Sequence, residues 1–167
     1  MCIRDRADGV PGGYPSWTAI VSEMQQAAAD HPTICELVDL TSRYGLPLTA
    51  DGNSVLAIHI SDNVSVDEDE PAVLIASCHH AREIVTPVIA LEAIERLTDD
   101  YGSVGAITSA VDAHDIWILP VMNPDGYEYV FNVDNNWRKN RSVFPGGIGV
   151  DQNRNYPQGW NLSLIHI

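Results

Sequence analysis

Positive charge is scarce in this chain. Its 9 lysines and arginines face 23 aspartates and glutamates, giving a formal net charge of −14. A nucleic-acid partner is disfavoured, because its phosphate backbone would be repelled. Long apolar runs are missing too. No stretch approaches the ~20 residues of a membrane span. The opening "MCIRDRADGVPGG" lacks the apolar centre of a secretory signal, which leaves open either an exported precursor that has lost its start or a cytosolic protein. Cysteine is sparse: Cys2, Cys35 and Cys78 make up neither a disulfide framework nor a zinc-ribbon spacing. Cys78 follows an apolar stretch and reads as a small buried side chain.

What is present suffices for a core. A length of 167 residues with 45% hydrophobic content fits one soluble globular domain. The ends, "MCIRDR" and "LSLIHI", match no element beside them and read as foreign sequence. The expected organisation is therefore a disordered or foreign segment over 1–13, a domain over 14–161 and a foreign tail over 162–167. The few cations are not spread evenly. Arg138, Lys139, Arg141 and Arg154, four of the nine, fall within 138–154. An acidic chain that gathers its cations this way has the means to hold an anion.

Periodicity sets the elements. "SWTAIVSEMQQAAADH" places apolar residues at helical spacing behind Ser16 as N-cap. "TICELVDL" and "SVLAIHI" read as strands around a turn-rich connection. "AVLIAS" is a continuous apolar strand of the kind buried on both faces. "EIVTPVIALEAIERLTDD" reads as a helix with Pro87 in its first turn, where a missing N–H costs little. "SVGAITSAVDAH" reads as a second helix, and "DIWILPVM" as a buried strand followed by the turn "NPDG". Alternating strands and helices imply an α/β domain with a largely parallel sheet. Sites in such sheets lie beyond the carboxyl ends of the strands. "SCHHARE" and "NPDG" both fall at such ends.

His80 and Glu83 stand three positions apart. On a helical first turn they share a face, and both could reach one zinc ion at ~2.0–2.2 Å. The bare pattern is short enough to arise by chance, the competing reading being a surface pair at a helix start. Catalytic zinc also usually takes three protein ligands and a water, so the pair alone is no zinc site.

Four motifs in order, "CHHARE", "NPDGYEY", "NWRKNRS" and "GVDQNRN", resemble the metallocarboxypeptidases of the carboxypeptidase A type, the M14 peptidase family. The resemblance runs from about Tyr14 to Trp160. It implies a mixed, largely parallel sheet flanked by helices, truncated at its C-terminal side. It implies one zinc ion, with His80 and Glu83 as the first two ligands. Arg82 matches an arginine that contacts the substrate chain. Arg138 matches the arginine that polarises the scissile carbonyl and stabilises the oxyanion. Asn153 and Arg154 match the pair that binds the substrate's terminal carboxylate, and Asp151 matches a carboxylate behind the zinc histidine. His79 is expected to be a partly exposed loop histidine, Lys139 and Arg141 surface charges, and Trp137 a packing residue. In the turn "NPDG", Asn123 and Asp125 are expected to satisfy backbone groups.

The implied activity is zinc-dependent hydrolysis of the C-terminal peptide bond of peptides or proteins. The implied protein is a monomer when full length, secreted or extracytoplasmic, with neither nucleic acid nor membrane as partner. The family's third zinc ligand and general base lie beyond "NRN". His166 is too close to Asn153 to be that ligand, so the chain is expected to be the N-terminal part of a catalytic domain, inactive alone. A non-catalytic domain that binds peptide C-termini and a related zinc deacylase are the competing readings. A glutamate at the family's base position would exclude the first.

Overall fold

The computed structural model describes residues 13–156. The expectations for 1–12, for the tail 162–167 and for His166 lie outside these residues. A helix, α1 (Trp17–Asp30), begins where Ser16 accepts a hydrogen bond from the Ala19 N–H at 3.1 Å. It stops at His31, ahead of Pro32. Strand β1 (Cys35–Asp39) follows and leads directly into the short α2 (Leu40–Arg43). Asp39 caps that helix through the Ser42 N–H and also accepts from the Ser54 hydroxyl, which closes the connection to β2 (Leu56–Ile60). The acidic loop after β2 ends at Pro71, and β3 (Ala72–Ala76) begins. Helices α3 (Thr86–Asp99) and α4 (Gly105–Val111) carry the chain back to β4 (Asp115–Leu119). Helix α5 (Pro124–Asn132) and a small ribbon of β5 (Val143–Phe144) and β6 (Gly147–Ile148) complete the elements, with a 3-10 turn at Gln152–Arg154.

The four main strands form one sheet in the order β1-β2-β4-β3. The sheet is mixed, but the expectation that it is largely parallel needs correction for these strands. Only β3 and β4 run parallel, joined through α3 and α4, while β1–β2 and β2–β4 are antiparallel. The connection from β1 to β2 holds only the single-turn α2, too short to carry the chain back along the sheet, and the two strands run antiparallel.

One face of the sheet carries the core. Ile58 pairs with Ile118 and Ile60 with Ile116, and all four are buried against Ile20 and Met24 of α1 and Leu91 and Ile94 of α3. The opposite face carries His59 stacked on Trp117, with ring centroids 4.4 Å apart. Strand β3 departs from the expectation of burial on both faces. It is one of the sheet's two edge strands among the described residues, and Leu74 is 68% exposed. Its apolar sequence shows what the strand could bury, but only a neighbour on each side would bury it.

Candidate active site

The parallel pair sets the site's position. Strands β3 and β4 end side by side, and the two chains stay tied beyond their ends. Ser77 N–H donates to the Leu119 carbonyl at 2.9 Å, and Met122 N–H donates to the Ser77 carbonyl at 2.9 Å. The segments after these strands therefore leave from one rim. Two later segments, 137–142 and 150–156, come back to it.

His80 and Glu83 lie in a turn before α3, not on its first helical turn as their spacing suggests. The Glu83 N–H donates to the His80 carbonyl at 3.0 Å, closing the turn. Pro87 has no N–H to bond the Glu83 carbonyl, so a helical bond cannot form there. That carbonyl is instead taken by the Thr86 N–H at 3.0 Å and the Thr86 hydroxyl at 2.8 Å. The turn starts at Cys78, the one non-glycine among the described residues with positive φ, at 52°. A left-handed Cys costs energy and persists only where the surroundings hold it. Here the Cys78 N–H donates to the Thr86 hydroxyl at 3.0 Å. Burial, and then the Glu83 charge, push the Cys78 thiol up to about 12. It stays a thiol and no nucleophile.

The turn aims two donor atoms at one place. His80 Nδ1 is 2.8 Å from Glu83 Oε1. The other ring nitrogen, Nε2, is 3.2 Å from Asp151 Oδ1, across 71 positions of sequence. An Nε2–H donated to Asp151 leaves the Nδ1 lone pair facing Glu83. Metal-bound imidazoles are usually held this way. An imidazole nitrogen and a carboxylate oxygen at this spacing fit two ligands of a zinc ion. Among the described residues no third His, Cys, Asp or Glu completes a cluster with them. The group of three that is present, Asp62, Glu68 and Glu70, lies in the loop after β2.

Asp151 has a second partner. Its Oδ2 accepts from Arg138 Nε at 2.9 Å. Burial works against the carboxylate's charge. The hydrogen bond and charge of Arg138, followed by His80, outweigh it and hold the group below the usual carboxylate range. One carboxylate thus holds both the histidine and the arginine. With Nε engaged, the outer nitrogens of Arg138 make no hydrogen bond among the described residues, and its side chain is 30% exposed. They are available to an oxygen in the opening.

Asn153 and Arg154 belong to the 3-10 turn immediately after Asp151. Two residues further on, the Tyr156 hydroxyl sits 2.6 Å from His79 Nε2. The turn is thus fastened to His79 and His80 at both ends, which puts Asn153 and Arg154 on the same rim. Among the described residues neither side chain bonds to His80 or Glu83; Arg154 donates to the Asn153 carbonyl at 2.9 Å. Arg82 is exposed and reaches the Asn136 carbonyl at 3.4 Å. His79 is half-buried, and burial, then the neighbouring His80, lower its pKa, with Glu83 opposing.

Three features escaped the sequence reading. Tyr156 gave no motif signal. Arg141 is no free surface charge: it lies over the Tyr129 ring at 3.8 Å and the Trp137 ring at 5.1 Å, with Asp51 3.8 Å away. Aromatics flanking a run of cations were the available hint. Asp125 was read as serving its own turn. It instead holds the 49–53 loop, accepting from the Asp51 N–H at 3.0 Å and Asn53 Nδ2 at 2.9 Å.

Known proteins share this arrangement of segments. The family model described as zinc carboxypeptidase matches residues 20–165. A zinc carboxypeptidase of Saccharothrix mutabilis subsp. capreolus is 37% identical over 150 residues, which cover 89% of this chain and 33% of that protein. Carboxypeptidase A2 of Mus musculus is 35% identical over 148 residues, covering 87% of this chain and 33% of that one. The crystal structure of carboxypeptidase A from Helicoverpa armigera superposes with a TM-score of 0.73 at 33% identity, covering 86% of this chain and 34% of that one. The chain spans about a third of the length of the curated relatives it matches. Since the match runs through every segment that meets at this rim, the chain belongs to the zinc carboxypeptidase family, peptidase M14.

Proposed function

We propose that the full-length protein is a zinc-dependent metallocarboxypeptidase that hydrolyses the C-terminal peptide bond of peptides or proteins. His80 and Glu83 are two of its zinc ligands, and among the described residues no third His, Cys, Asp or Glu completes a cluster with them. The observation that carries the reading is the shared carboxylate: Asp151 binds His80 through one oxygen and Arg138 through the other. A single buried group thereby sets the metal-binding imidazole against a guanidinium whose outer nitrogens make no hydrogen bond among the described residues.

When bound, zinc supplies a Lewis acid that brings the pKa of a bound water to about 7. The chain's own residues do the rest. Asp151 keeps the proton on His80 Nε2 and so keeps Nδ1 available as a ligand. Arg138 donates to the scissile carbonyl oxygen, and its charge is worth most as negative charge grows there. Loss of such a donor costs about 2.7–4 kcal/mol of transition-state stabilisation. Arg154, with Asn153 beside it, receives the substrate's free carboxylate, a task suited to a planar two-pronged donor. Arg82 contacts the substrate chain at the mouth. The net charge of −14 leaves these arginines as local exceptions in an acidic molecule. The protein acts outside the cytoplasm and as a monomer, with no nucleic-acid partner. No helix of the described residues is long and apolar enough to cross a membrane.

The test is release of the C-terminal residue from a peptide by the full-length protein. Activity should be lost to a chelator and return with zinc. Activity that survives exhaustive removal of metal would refute the reading.

A further inference from the structure

Asn123 performs two separable tasks with one buried carboxamide, 1% exposed. Its Oδ1 accepts from the Gly126 N–H at 3.0 Å and so caps α5. Its Nδ2 donates to the His79 carbonyl at 3.3 Å and to the Lys139 carbonyl at 3.0 Å. Those two carbonyls adjoin the site residues: His79 precedes His80, and Lys139 follows Arg138. A third bond, from the Ala81 N–H to the Arg138 carbonyl at 3.1 Å, joins the same two segments directly.

Capping alone does not require asparagine, since serine, threonine or aspartate would cap equally well. Accepting one N–H while donating two needs a carboxamide. The two carbonyls and the one N–H around it also fix which end is oxygen. The packing leaves no slack. A Cβ at Gly126 would come within 2.7 Å of the Lys139 carbonyl oxygen and 2.5 Å of Asn123 Nδ2. On the other side, a Cβ at Gly149 would come within 2.6 Å of the Asn140 carbonyl oxygen. The backbone at 139–140 is thus seated between two positions that admit no side chain, with Asn123 as the polar contact that sets its height.

We propose that Asn123 is a positioning residue: its Nδ2 fixes the separation between the metal-binding turn and the Arg138 guanidinium. The inference rests on the carboxypeptidase reading above, and deepens it. Catalysis there needs the carbonyl oxygen at Arg138 while the attacked carbon lies within reach of the group activated at His80 and Glu83. A displacement of about 1 Å between such parts can cost ~100-fold in rate. Asn123 touches no substrate; it acts through the segments it joins.

The experiment uses the full-length, zinc-loaded enzyme. Asn123→Ser keeps a good N-cap but removes both Nδ2 bonds. The expected result is a kcat reduced roughly 10–100-fold, with KM within about twofold and zinc bound stoichiometrically. In an Arg138→Ala background the same substitution should cost less than about threefold more, because the partner it positions is gone. A merely structural role would lower stability without this loss of additivity. If the serine variant does not fold, Gly126→Ala, which keeps Asn123 and displaces the Lys139 carbonyl, should give the same kcat-specific and non-additive loss. A folded Asn123→Ser or Gly126→Ala with wild-type kcat overturns the inference, as does a full loss repeated in the Arg138→Ala background. Arg138→Ala with wild-type kcat would instead overturn the underlying reading of Arg138.

Discussion

Asp151→Asn exchanges one carboxylate oxygen for an NH2 group at almost constant volume. The site needs both oxygens, because His80 Nε2 lies 3.2 Å from one and Arg138 Nε lies 2.9 Å from the other. Asparagine offers a single acceptor, so one of the two donors must face an NH2. The two donors differ in what they can do next. The His80 side chain is 7% exposed, whereas that of Arg138 is 30% exposed and can swing into solvent. The amide oxygen should therefore stay with His80. The imidazole loses the negative charge behind it, and Arg138 loses its anchor. Losing a charge-assisted hydrogen bond costs ~1.5–3 kcal/mol. That matches the ~10–100-fold loss of metal affinity or activity seen when such carboxylates are removed. Because His80 keeps a neutral acceptor and loses only the charge behind it, the expectation for zinc affinity is at the lower end. The expectation for kcat is higher, because the guanidinium itself is released. Zinc competition against a chelator and steady-state kinetics on one peptide, both with the full-length protein, measure the two effects. Wild-type values for both would refute the claim that Asp151 holds the site together.

Three further outcomes follow from contacts away from the site. Asp39 is held below its ordinary pKa of 3.8, first by the Ser42 N–H and against a smaller burial penalty. Its folded pKa is depressed, so its contribution to stability is present above about 3.8 and fades as pH falls through the folded value. Asp39→Asn should flatten that part of the acid limb in thermal melts, and an unchanged limb would remove Asp39 from the cause. Gly149→Ala should destabilise the protein by more than ~1 kcal/mol in denaturant melts, since φ is 85° there and the Cβ meets the Asn140 carbonyl. A neutral effect would show that the 139–140 seat is soft. The 167-residue chain should self-associate through β3, where Leu74 is 68% exposed on an edge strand. Leu74→Lys should shift its sedimentation toward the monomer, and an unshifted profile would place the contact elsewhere.

The parts of the fold that the sequence revealed were those governed by local chemistry. Ser16 ahead of an amphipathic run marks α1, and Pro32 marks its end. Pro87 announces α3, but its influence extends four residues back, to the Glu83 carbonyl. The expected helical turn at His80 and Glu83 is instead a hydrogen-bonded turn, with Thr86 taking up the Glu83 carbonyl. The pairing survives because a β-turn, like a helix, brings i and i+3 together. Apolar composition identified β3 as a strand, yet burial depends on neighbours, and composition cannot supply those. Strand direction was likewise hidden, because the β1–β2 connection reads as generic turn sequence. At the site, motif order pointed to Asp151 and Arg138. The role of Asn123 as a link across 44 positions to His79 needed the folded chain. So did the placement of Arg141 over the Tyr129 ring, because the nearby aromatics in sequence hint at such a contact without saying which cation makes it.

Arg154 is proposed to recognise a free C-terminal carboxylate beside a zinc site. The most direct measurement is kcat/KM of the zinc-loaded full-length protein on one peptide with its C-terminus free or amidated, for the wild type and for Arg154→Ala. The wild type should cleave the free peptide strongly and the amidated one poorly. Arg154→Ala should raise KM for the free peptide and narrow the ratio, while Arg138→Ala should lower kcat with less effect on KM. Equal cleavage of both peptides by the wild type, or discrimination that survives Arg154→Ala intact, would contradict the account.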